Sequence, residues 1–305
     1  VINALSRGVA QVAGATHFFW SREEAFESVD VLVVDEAAQM ALANVLAVGQ
    51  AAPVLILLGD PQQLEQPSQG SHPDGTGVSS LDHILGGHPI IPEDKGLFLE
   101  HTWRLHPDIC DFTSELFYEG KLSSIAGCEL QQIRSQGLFS GSGLRYVPVV
   151  HSGNTSSSLE EARAVKFIVD HILGQTSEWT DRSGEVKLLT LEDILIITPY
   201  NAQVFEMQQL LPGAHVGTVD KFQGQEAPIT IYSMATSSHV DAPRGMEFLY
   251  SSNRLNVAIS RAKCLSILIG SPAVFEADCR TPRQMKLANA HCRYLELAQE
   301  ILLER

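Results

Sequence analysis

The stretch Val31-Leu-Val-Val-Asp35-Glu36-Ala-Ala-Gln39 decides the fold class of this chain. Four apolar residues run without a polar break and end directly in two carboxylates. Such a run is typical of a strand buried in a parallel sheet, and ligands bind at the carboxyl ends of these strands. The arrangement recurs at Val54-Leu-Ile-Leu-Leu-Gly59-Asp60-Pro-Gln-Gln63-Leu64. Two strands that both end in polar groups favour a binding site over a chance acidic strand end.

Further continuous runs of β-branched and leucine residues predict buried parallel strands at 145–150, 194–197, 229–232 and 266–269. Helical patterns separate them. Ser157-x-x-Glu160 predicts a capping box, and the helix it opens has an apolar face of Leu159, Ala162, Val165, Val169 and Ile172. Residues 202–211 predict a second helix, closed by Pro212-Gly213. Strands that alternate with helices indicate an α/β fold on a mostly parallel sheet.

Two polar segments interrupt this alternation. Residues 66–95 are rich in Gly, Pro, Ser, His and Asp, and predict a long loop with one helical turn near 81–85. Residues 176–185 predict an exposed connection. We place a domain boundary near residue 96, which gives two domains, 1–96 and 97–305.

Composition limits the class of protein. With 305 residues, 44% of them hydrophobic and 19% charged, the chain is typical of a soluble protein with two cores. It has no apolar run of about 20 residues, so no membrane contact is expected. A net charge of −15 argues against a large basic face for nucleic acid, although a motor can line one groove with donors and stacking groups. Five cysteines without a Cys-x-x-Cys pair predict free thiols and a cytoplasmic location.

Four further polar clusters follow in order: Thr102-Trp103-Arg104-Leu-His106-Pro107-Asp108, Ile197-Thr198-Pro199-Tyr200-Asn-Ala-Gln203, Gly217-Thr218-Val-Asp220-Lys-Phe-Gln223-Gly224-Gln225-Glu226 and Arg254-Leu-Asn256-Val-Ala-Ile-Ser260-Arg261-Ala-Lys263. With the first two clusters, the series resembles motifs II to VI of the superfamily 1 helicases. The similar branch moves 5′ to 3′ and is related to the nonsense-mediated-decay helicase and to nuclease–helicase fusions. The match covers nearly the whole chain, and the ordered set is more specific than any single motif.

The resemblance implies two RecA-like parallel-sheet domains, of which the first is truncated at its N-terminus. It also implies ATP and Mg²⁺ as cofactors. In the first domain, Asp35 would coordinate Mg²⁺, Glu36 would activate the attacking water and Gln63 would sense the γ-phosphate.

In the second domain, the resemblance makes Arg104 and Arg261 arginine fingers for the transferring phosphoryl group. Trp103 stands where the family usually has a tyrosine that stacks on the nucleotide base. Gly224 would allow close backbone approach to phosphate, and Glu226 would contact the ribose.

The partner implied is single-stranded DNA or RNA. Thr198, Pro199, Tyr200 and Gln203 are candidate contacts at motif IV, and Thr218 is a candidate donor to a backbone phosphate at motif V. Contacts of this kind position a strand and carry no sequence information.

The chain departs from the family in one respect: Gly-x-x-x-x-Gly-Lys-Ser/Thr does not occur in it. This P-loop supplies the amides and the lysine that hold the phosphates. In the family it lies upstream, so we expect the chain to begin inside the first motor domain. The parent protein would add the upstream half of that domain and, in some relatives, a fused nuclease.

We therefore expect the C-terminal portion of an ATP-dependent helicase, with no ATPase activity in the 305 residues alone. The alternative is a non-catalytic nucleic-acid-binding or scaffolding module derived from a helicase. The absent P-loop favours the alternative, whereas Glu36, Gln63, Arg104 and Arg261 argue against it.

Overall fold

The computed structural model describes residues 1–64, 73 and 77–303, and the chain divides into two units, Val1–Phe98 (unit 1) and Leu99–Arg305 (unit 2). Of the long loop predicted at 66–95, residues 66–72 and 74–76 lie outside the described residues. The identity of the two units as two motor domains stays a prediction.

Unit 1 contains a parallel pair of strands with short helices. Its elements are α1 (Ile2–Ser6), α2 (His17–Trp20), β1 (Val31–Val34), α3 (Leu42–Gly49), β2 (Val54–Leu57) and α4 (Ser80–Leu85), with 3₁₀ turns at Glu23–Ala25 and Ala37–Gln39. The strands pair in register from Val31 opposite Val54 to Val34 opposite Leu57. The helical turn predicted near 81–85 is confirmed as α4.

β1 is buried on one face only and Val54, Leu55 and Ile56 of β2 are all exposed, so the prediction of fully buried strands is wrong for unit 1. Val31 and Val33 are 46% and 52% exposed, whereas Leu32 and Val34 pack into the core of the unit. An uninterrupted apolar run is typical of strands covered on both faces, but the described residues of unit 1 cover only one face of β1.

Unit 2 is larger and contains the main sheet. Its helices are α5 (Pro107–Phe117), α6 (Leu159–Leu173), α7 (Asn201–Leu210), α8 (Gly245–Leu249), α9 (Ser252–Ser260), α10 (Pro272–Phe275) and α11 (Pro282–Leu297). Its strands are β3 (His101–Thr102), β4 (Ser123–Ser124), β5 (Gln132–Arg134), β6 (Gly143–Pro148), β7 (Glu178–Thr180), β8 (Val186–Leu188), β9 (Ile194–Thr198), β10 (His215–Thr218), β11 (Ala227–Ser233), β12 (Ala262–Gly270) and β13 (Gln299–Glu300). Further 3₁₀ turns lie at Cys128–Leu130, Leu191–Asp193 and Val219–Phe222.

Six of these strands form one parallel sheet in the order β10-β9-β11-β12-β6-β13. Its central strands are buried on both faces. Ile194 and Ile196 of β9 join a core cluster with α6, and the alternate residues Leu195 and Ile197 are buried as well. The predicted α/β class is therefore confirmed, as is the burial of the strands in this unit.

Helix α6 begins one residue later than predicted. Its N-cap is Ser158, whose hydroxyl accepts a hydrogen bond from the backbone N–H of Glu161 at 3.1 Å. This register puts Leu159 in the first turn, where it is 41% exposed instead of lying on the buried face. The other four predicted apolar positions are buried. The second helix, predicted at 202–211, is confirmed as α7, which begins and ends one residue earlier than predicted.

The predicted exposed connection at 176–185 is wrong in part. Its middle forms β7, which pairs antiparallel with β5 and β8 in a separate three-stranded sheet. Trp179 is buried with Ser177 and Thr180 beside it. One large aromatic residue thus anchors a segment that is polar everywhere else.

All five cysteines carry free thiols, as their spacing predicts. Among the described residues, no helix has the length and apolar character needed to cross a bilayer.

His291 is a buried histidine in the core of unit 2. It is 1% exposed, and its ring meets the ring of Tyr250 edge-on at 5.4 Å. Neither ring nitrogen has a hydrogen-bond partner among the described residues. Burial lowers the pKa of His291 from its ordinary value of 6.5 to about 3.

We predict that His291 makes unit 2 sensitive to acid. Between pH 6.5 and about 3 the unfolded chain binds a proton on this ring that the folded chain does not. The free energy of unfolding therefore falls as the pH drops through this window, by up to about 1.4 kcal/mol per pH unit. His291→Phe should flatten this part of the profile in urea unfolding measured from pH 7 to 4. The same change at exposed His215 should leave the profile unaltered; equal slopes for His291→Phe and the unmutated chain would contradict the prediction.

Candidate functional site

Asp35 and Glu36 lie at the carboxyl end of β1, and both are exposed. The Asp35 carboxylate accepts a hydrogen bond from the backbone N–H of Glu36 at 2.9 Å. Glu36 has a φ of 53°, in the left-handed region that side chains other than glycine rarely adopt. Backbone strain of this kind costs about 1–3 kcal/mol and clusters at functional sites. The Asp35 carboxylate is therefore held by the backbone, and the Glu36 side chain leaves from a strained position beside it.

Gly59 brings the second polar cluster close to the first. The N–H of Ala37 donates to the carbonyl of Leu58 at 2.8 Å, so the segment after β1 is bonded to the segment after β2. A Cβ at Gly59 would lie 3.0 Å from the backbone nitrogens of Ala37 and Ala38. Only glycine fits this approach without displacing the backbone that follows Glu36.

Gln63 is oriented by Asp60. Its side-chain amide donates to one oxygen of the Asp60 carboxylate at 2.9 Å. The other Asp60 oxygen accepts from the backbone N–H of Gln62, also at 2.9 Å. The turn after β2 therefore fixes both the acid and the amide that resemble motif III.

In unit 2, Glu226 joins two cations from other parts of the sequence. Arg104 Nε donates to Glu226 Oε2 at 2.6 Å, and Lys263 Nζ lies 2.9 Å from Oε1. Arg104 also donates to the carbonyl of Ser260 at 3.1 Å, and Gln131 donates to the carbonyl of Arg104 at 2.8 Å. Three of the predicted motifs meet in this cluster.

The Glu226 carboxyl is ionised in this environment. Partial burial raises its pKa, but the hydrogen bonds from Arg104 and Lys263 outweigh burial and hold the pKa below its usual range. Each oxygen of Glu226 is thus engaged by one cation and keeps a second lone pair that can accept from a ligand.

Arg261 is almost fully buried, at 2% exposure. Its guanidinium donates to the carbonyl of Val257 at 3.3 Å and to that of Gln225 at 3.5 Å. It therefore connects α9 to the segment before Glu226. In this conformation the Arg261 guanidinium bonds to two backbone segments and is not exposed to solvent.

Trp103 and Gly224 are close in sequence to Arg104 and Glu226. Trp103 is an exposed side chain, whereas Gly224 is constrained by its backbone conformation. Trp103 is 65% exposed, and the guanidinium of Arg182 lies 5.0 Å from its ring centroid. Gly224 has a φ of 76°, and nothing lies within 4 Å of the position of a Cβ. The backbone conformation, and not lack of space, is what requires glycine there.

The four predicted contacts at motif IV are buried. Thr198 is the last residue of β9, and Pro199 and Tyr200 follow it. The side-chain oxygen of Gln203 accepts from the Ser158 N–H at 2.7 Å. Its side-chain nitrogen donates to the Ser158 carbonyl and to the Ser233 hydroxyl, both at 3.1 Å. Gln203 thus connects α7 to the segment before α6 and to the end of β11. Its contact with nucleic acid stays a prediction.

Thr218 ends β10 directly beside Thr198 in the parallel register, and its side chain is half-buried. It is the most accessible of the five predicted nucleic-acid residues. Its contact with a phosphate stays a prediction as well.

A buried polar network lies next to these loops. Glu161 is fully buried; one oxygen lies 2.8 Å from His151 Nε2, and the other accepts from the Ser233 hydroxyl at 2.6 Å and the Ala235 N–H at 2.9 Å. His151 Nδ1 in turn lies 2.7 Å from the Ser237 hydroxyl. This network ties the segment after β11 to α6 and fixes its path.

Sequence reasoning gave no role to Glu161 or Lys263. The sequence did contain an indication for Glu161. It lies on the same face of the helix as Val165, Ile168 and Ile172, and a carboxylate buried on that face needs hydrogen-bond partners. The sequence contained no such indication for Lys263, because its partner Glu226 lies far away in the chain, in the segment before β11.

Residues 78–273, more than half of the chain, match the AAA_12 family of AAA domains. The chain belongs to this family. This AAA-domain chain is 28% identical over 271 residues to the probable helicase MAGATAMA 3 of Arabidopsis thaliana, a match that covers 82% of the chain and 31% of that protein. It is 29% identical over 257 residues to the putative helicase mov-10-B.1 of Danio rerio, covering 73% of the chain and 25% of that protein.

The AAA-domain chain thus spans between a quarter and a third of the length of these relatives. The resemblance to superfamily 1 helicases that the motifs predicted is confirmed by the family and by the names of these proteins. A solved structure of the arterivirus helicase, nonstructural protein 10, in complex with DNA covers 92% of the chain and 43% of that protein, with 15% identity and a TM-score of 0.43.

We predict that Gly59→Ala destabilises unit 1 of this AAA-domain chain. A methyl group 3.0 Å from two backbone nitrogens forces the segments after β1 and β2 apart, and overpacking of this kind costs about 1–3 kcal/mol. Gly49→Ala is the matched control, because Gly49 ends α3 in the same unit with nothing within 4 Å. Hydrogen exchange of the amides at 31–60 measures both changes. Equal protection in the two variants would contradict the steric account.

Proposed function

We propose that this chain is part of an ATP-dependent helicase that moves 5′ to 3′ along single-stranded DNA or RNA. The observation that carries the proposal is that Glu226 pairs with Arg104 and Lys263 while Arg104 also donates to the Ser260 carbonyl, which unites three segments that resemble helicase motifs. Arg104 offers a forked set of donors and Lys263 a compact positive charge, and both kinds of group suit the binding of phosphates. Membership of the AAA-domain family and relatives named as helicases support the same function.

The proposal includes ATP and Mg²⁺ as cofactors. The donor set of unit 1 fits a magnesium ion, because Asp35 and Glu36 are exposed carboxylates and Mg²⁺ prefers oxygen ligands. We assign Asp35 to the ion, which when bound neutralises charge on the phosphates. Glu36 accepts a proton from the attacking water. Gln63, oriented by Asp60, reports the state of the γ-phosphate.

In unit 2 we assign Arg104 and Arg261 to charge stabilisation during phosphoryl transfer. Arg104 is 29% exposed in its side chain and can exchange Glu226 for phosphate oxygens. Arg261 must leave its backbone partners or act through the Gln225 segment that it holds. The proposal assigns Trp103 to the base, Glu226 to the ribose and Gly224 to the backbone near phosphate.

The strand contacts are proposed at the carboxyl ends of β9 and β10. The Thr218 hydroxyl is accessible enough to donate to a phosphate. Because Thr198, Pro199 and Tyr200 are buried, we propose that they shape the loop and offer its backbone. Gln203 then acts as the brace for that loop.

Three finer points also belong to the proposal. The five free thiols support a cytoplasmic location. We propose that the full-length protein supplies the P-loop on an upstream part of the first motor domain. A fused nuclease domain, as in the nuclease–helicase branch, is a further part of the hypothesis.

We predict that Glu36→Gln in the full-length natural protein lowers ATP turnover by about 10²–10⁴-fold, the usual contribution of a general base. ATP binding should persist, because the amide keeps the shape of the side chain. Glu27→Gln is a matched control: Glu27 is an exposed glutamate of unit 1 with a φ of 46° and has no proposed role. Steady-state ATPase assays and nucleotide titrations measure the two effects.

Unchanged turnover in Glu36→Gln would remove this residue from the mechanism. A folded full-length protein that binds single strands but hydrolyses no ATP in magnesium would instead support the non-catalytic nucleic-acid-binding module.

A further inference from the structure

Two arginines contact one aromatic ring on the surface of unit 2. The guanidinium of Arg244 lies 3.9 Å from the ring centroid of Phe248, and that of Arg254 lies 4.6 Å from the same centroid. The ring of Tyr200 is 5.5 Å away, tilted by 43°. At 3.9 Å the Arg244 guanidinium is in van der Waals contact with the ring, the geometry of a cation–π pair.

The two arginines differ in their charge partners. Arg254 is largely buried and pairs with Asp220 at 3.1 Å. Arg244 is exposed, and within the described ranges no carboxylate lies at ion-pair distance from it. In a chain with a net charge of −15, an exposed arginine without an acidic partner leaves a local positive site.

This cluster lies where the strand-end loops converge. Tyr200 follows β9, Asp220 follows β10, and Phe248 contacts Tyr200 while Arg254 joins Phe248 to Asp220. Arg244 reaches the same place from the segment after β11. The cluster is therefore continuous with the loops that the proposed function assigns to the single strand.

There is room beside Arg244 for a ligand group. A surface depression of about 380 Å³ is lined by Arg244, Glu247, Arg283 and Leu287, among others, and by none of the residues proposed to contact ATP. Arg283 is engaged with Glu247 at 3.0 Å, so Arg244 is the unpaired cation of the two.

A purely structural role for Arg244 is the competing explanation. Phe248 already has Arg254 and Tyr200 as packing partners, and α8 has only five residues. Both of these partners remain on Phe248 when Arg244 is removed. A structural role predicts a change in unfolding with unchanged strand affinity, whereas a binding role predicts the reverse.

We propose that Arg244, supported by Phe248, binds one nucleotide of the single strand outside the helicase-like motifs. The guanidinium face that points away from Phe248 stacks on a base, and its N–H groups donate to a phosphate. Both are usual modes of recognition of unpaired nucleotides by arginine. The inference rests on the proposed function and adds a contact that the motif resemblance does not assign.

The test is the affinity of the full-length natural protein for fluorescent 20-nucleotide dT and U oligomers, measured by anisotropy at several salt concentrations without ATP. Arg244→Ala should weaken binding about tenfold, the loss expected for one stacked base. It should also lower the slope of log affinity against log salt by about 0.7, since one phosphate contact is lost. Arg244→Lys should keep the salt slope and lose most of the affinity, because a lysine keeps the charge without the plane.

Arg163→Ala is the matched control. Arg163 is another exposed arginine of unit 2, on α6, and it has no ion pair among the described side chains. Its removal should leave affinity and slope unchanged. Phe248→Leu tests whether the Phe248 ring positions Arg244. This change should weaken binding of the oligomers and leave the slope of log affinity against log salt unchanged.

Strand binding by the unmutated protein, with Arg244→Ala no weaker than Arg163→Ala, would overturn this inference alone. Full affinity in Arg244→Lys would overturn the stacking. No binding of either oligomer by the unmutated protein would overturn both this inference and the proposed function.

Discussion

Parallel strand pairing is the constraint on which the arrangement of unit 2 depends. Because every neighbouring pair in the six-stranded sheet is parallel, the carboxyl ends of β9, β10 and β11 meet at one edge. Residues more than forty positions apart, such as Tyr200 and Phe248, come into contact there for this reason. In unit 1 the same pairing of β1 with β2 places the Asp35 and Asp60 segments side by side.

Charge is distributed so that a strongly acidic chain retains local positive sites. Around Glu226, one carboxylate holds Arg104 and Lys263 in place and leaves an excess of positive charge. Deeper in the fold, Glu161 is satisfied by His151, Ser233 and a backbone N–H, so it stabilises a loop without facing a ligand. The first arrangement is suited to exchange with a ligand, and the second to rigidity.

Much of the fold was predictable because continuous apolar runs identify buried parallel strands independently of their neighbours. The errors arose where tertiary packing decides. Burial in unit 1 depends on what covers Val31 and Val33, and the strand at 178–180 depends on one tryptophan, Trp179. For the site, residue types and order predict Glu36 and Arg104 as candidates, but no local pattern shows that Arg261 is buried, since its contacts with Val257 and Gln225 depend on the folded backbone.

The protein of which these residues are part is proposed to move along a single strand by hydrolysing ATP. Displacement of streptavidin from oligonucleotides biotinylated at one end tests it directly. The account predicts that the full-length natural protein, with magnesium and ATP, displaces streptavidin from the 3′ end and leaves it at the 5′ end. Displacement from the 5′ end would contradict the direction. No displacement from either end, by a folded protein that binds the strand, would contradict the motor itself.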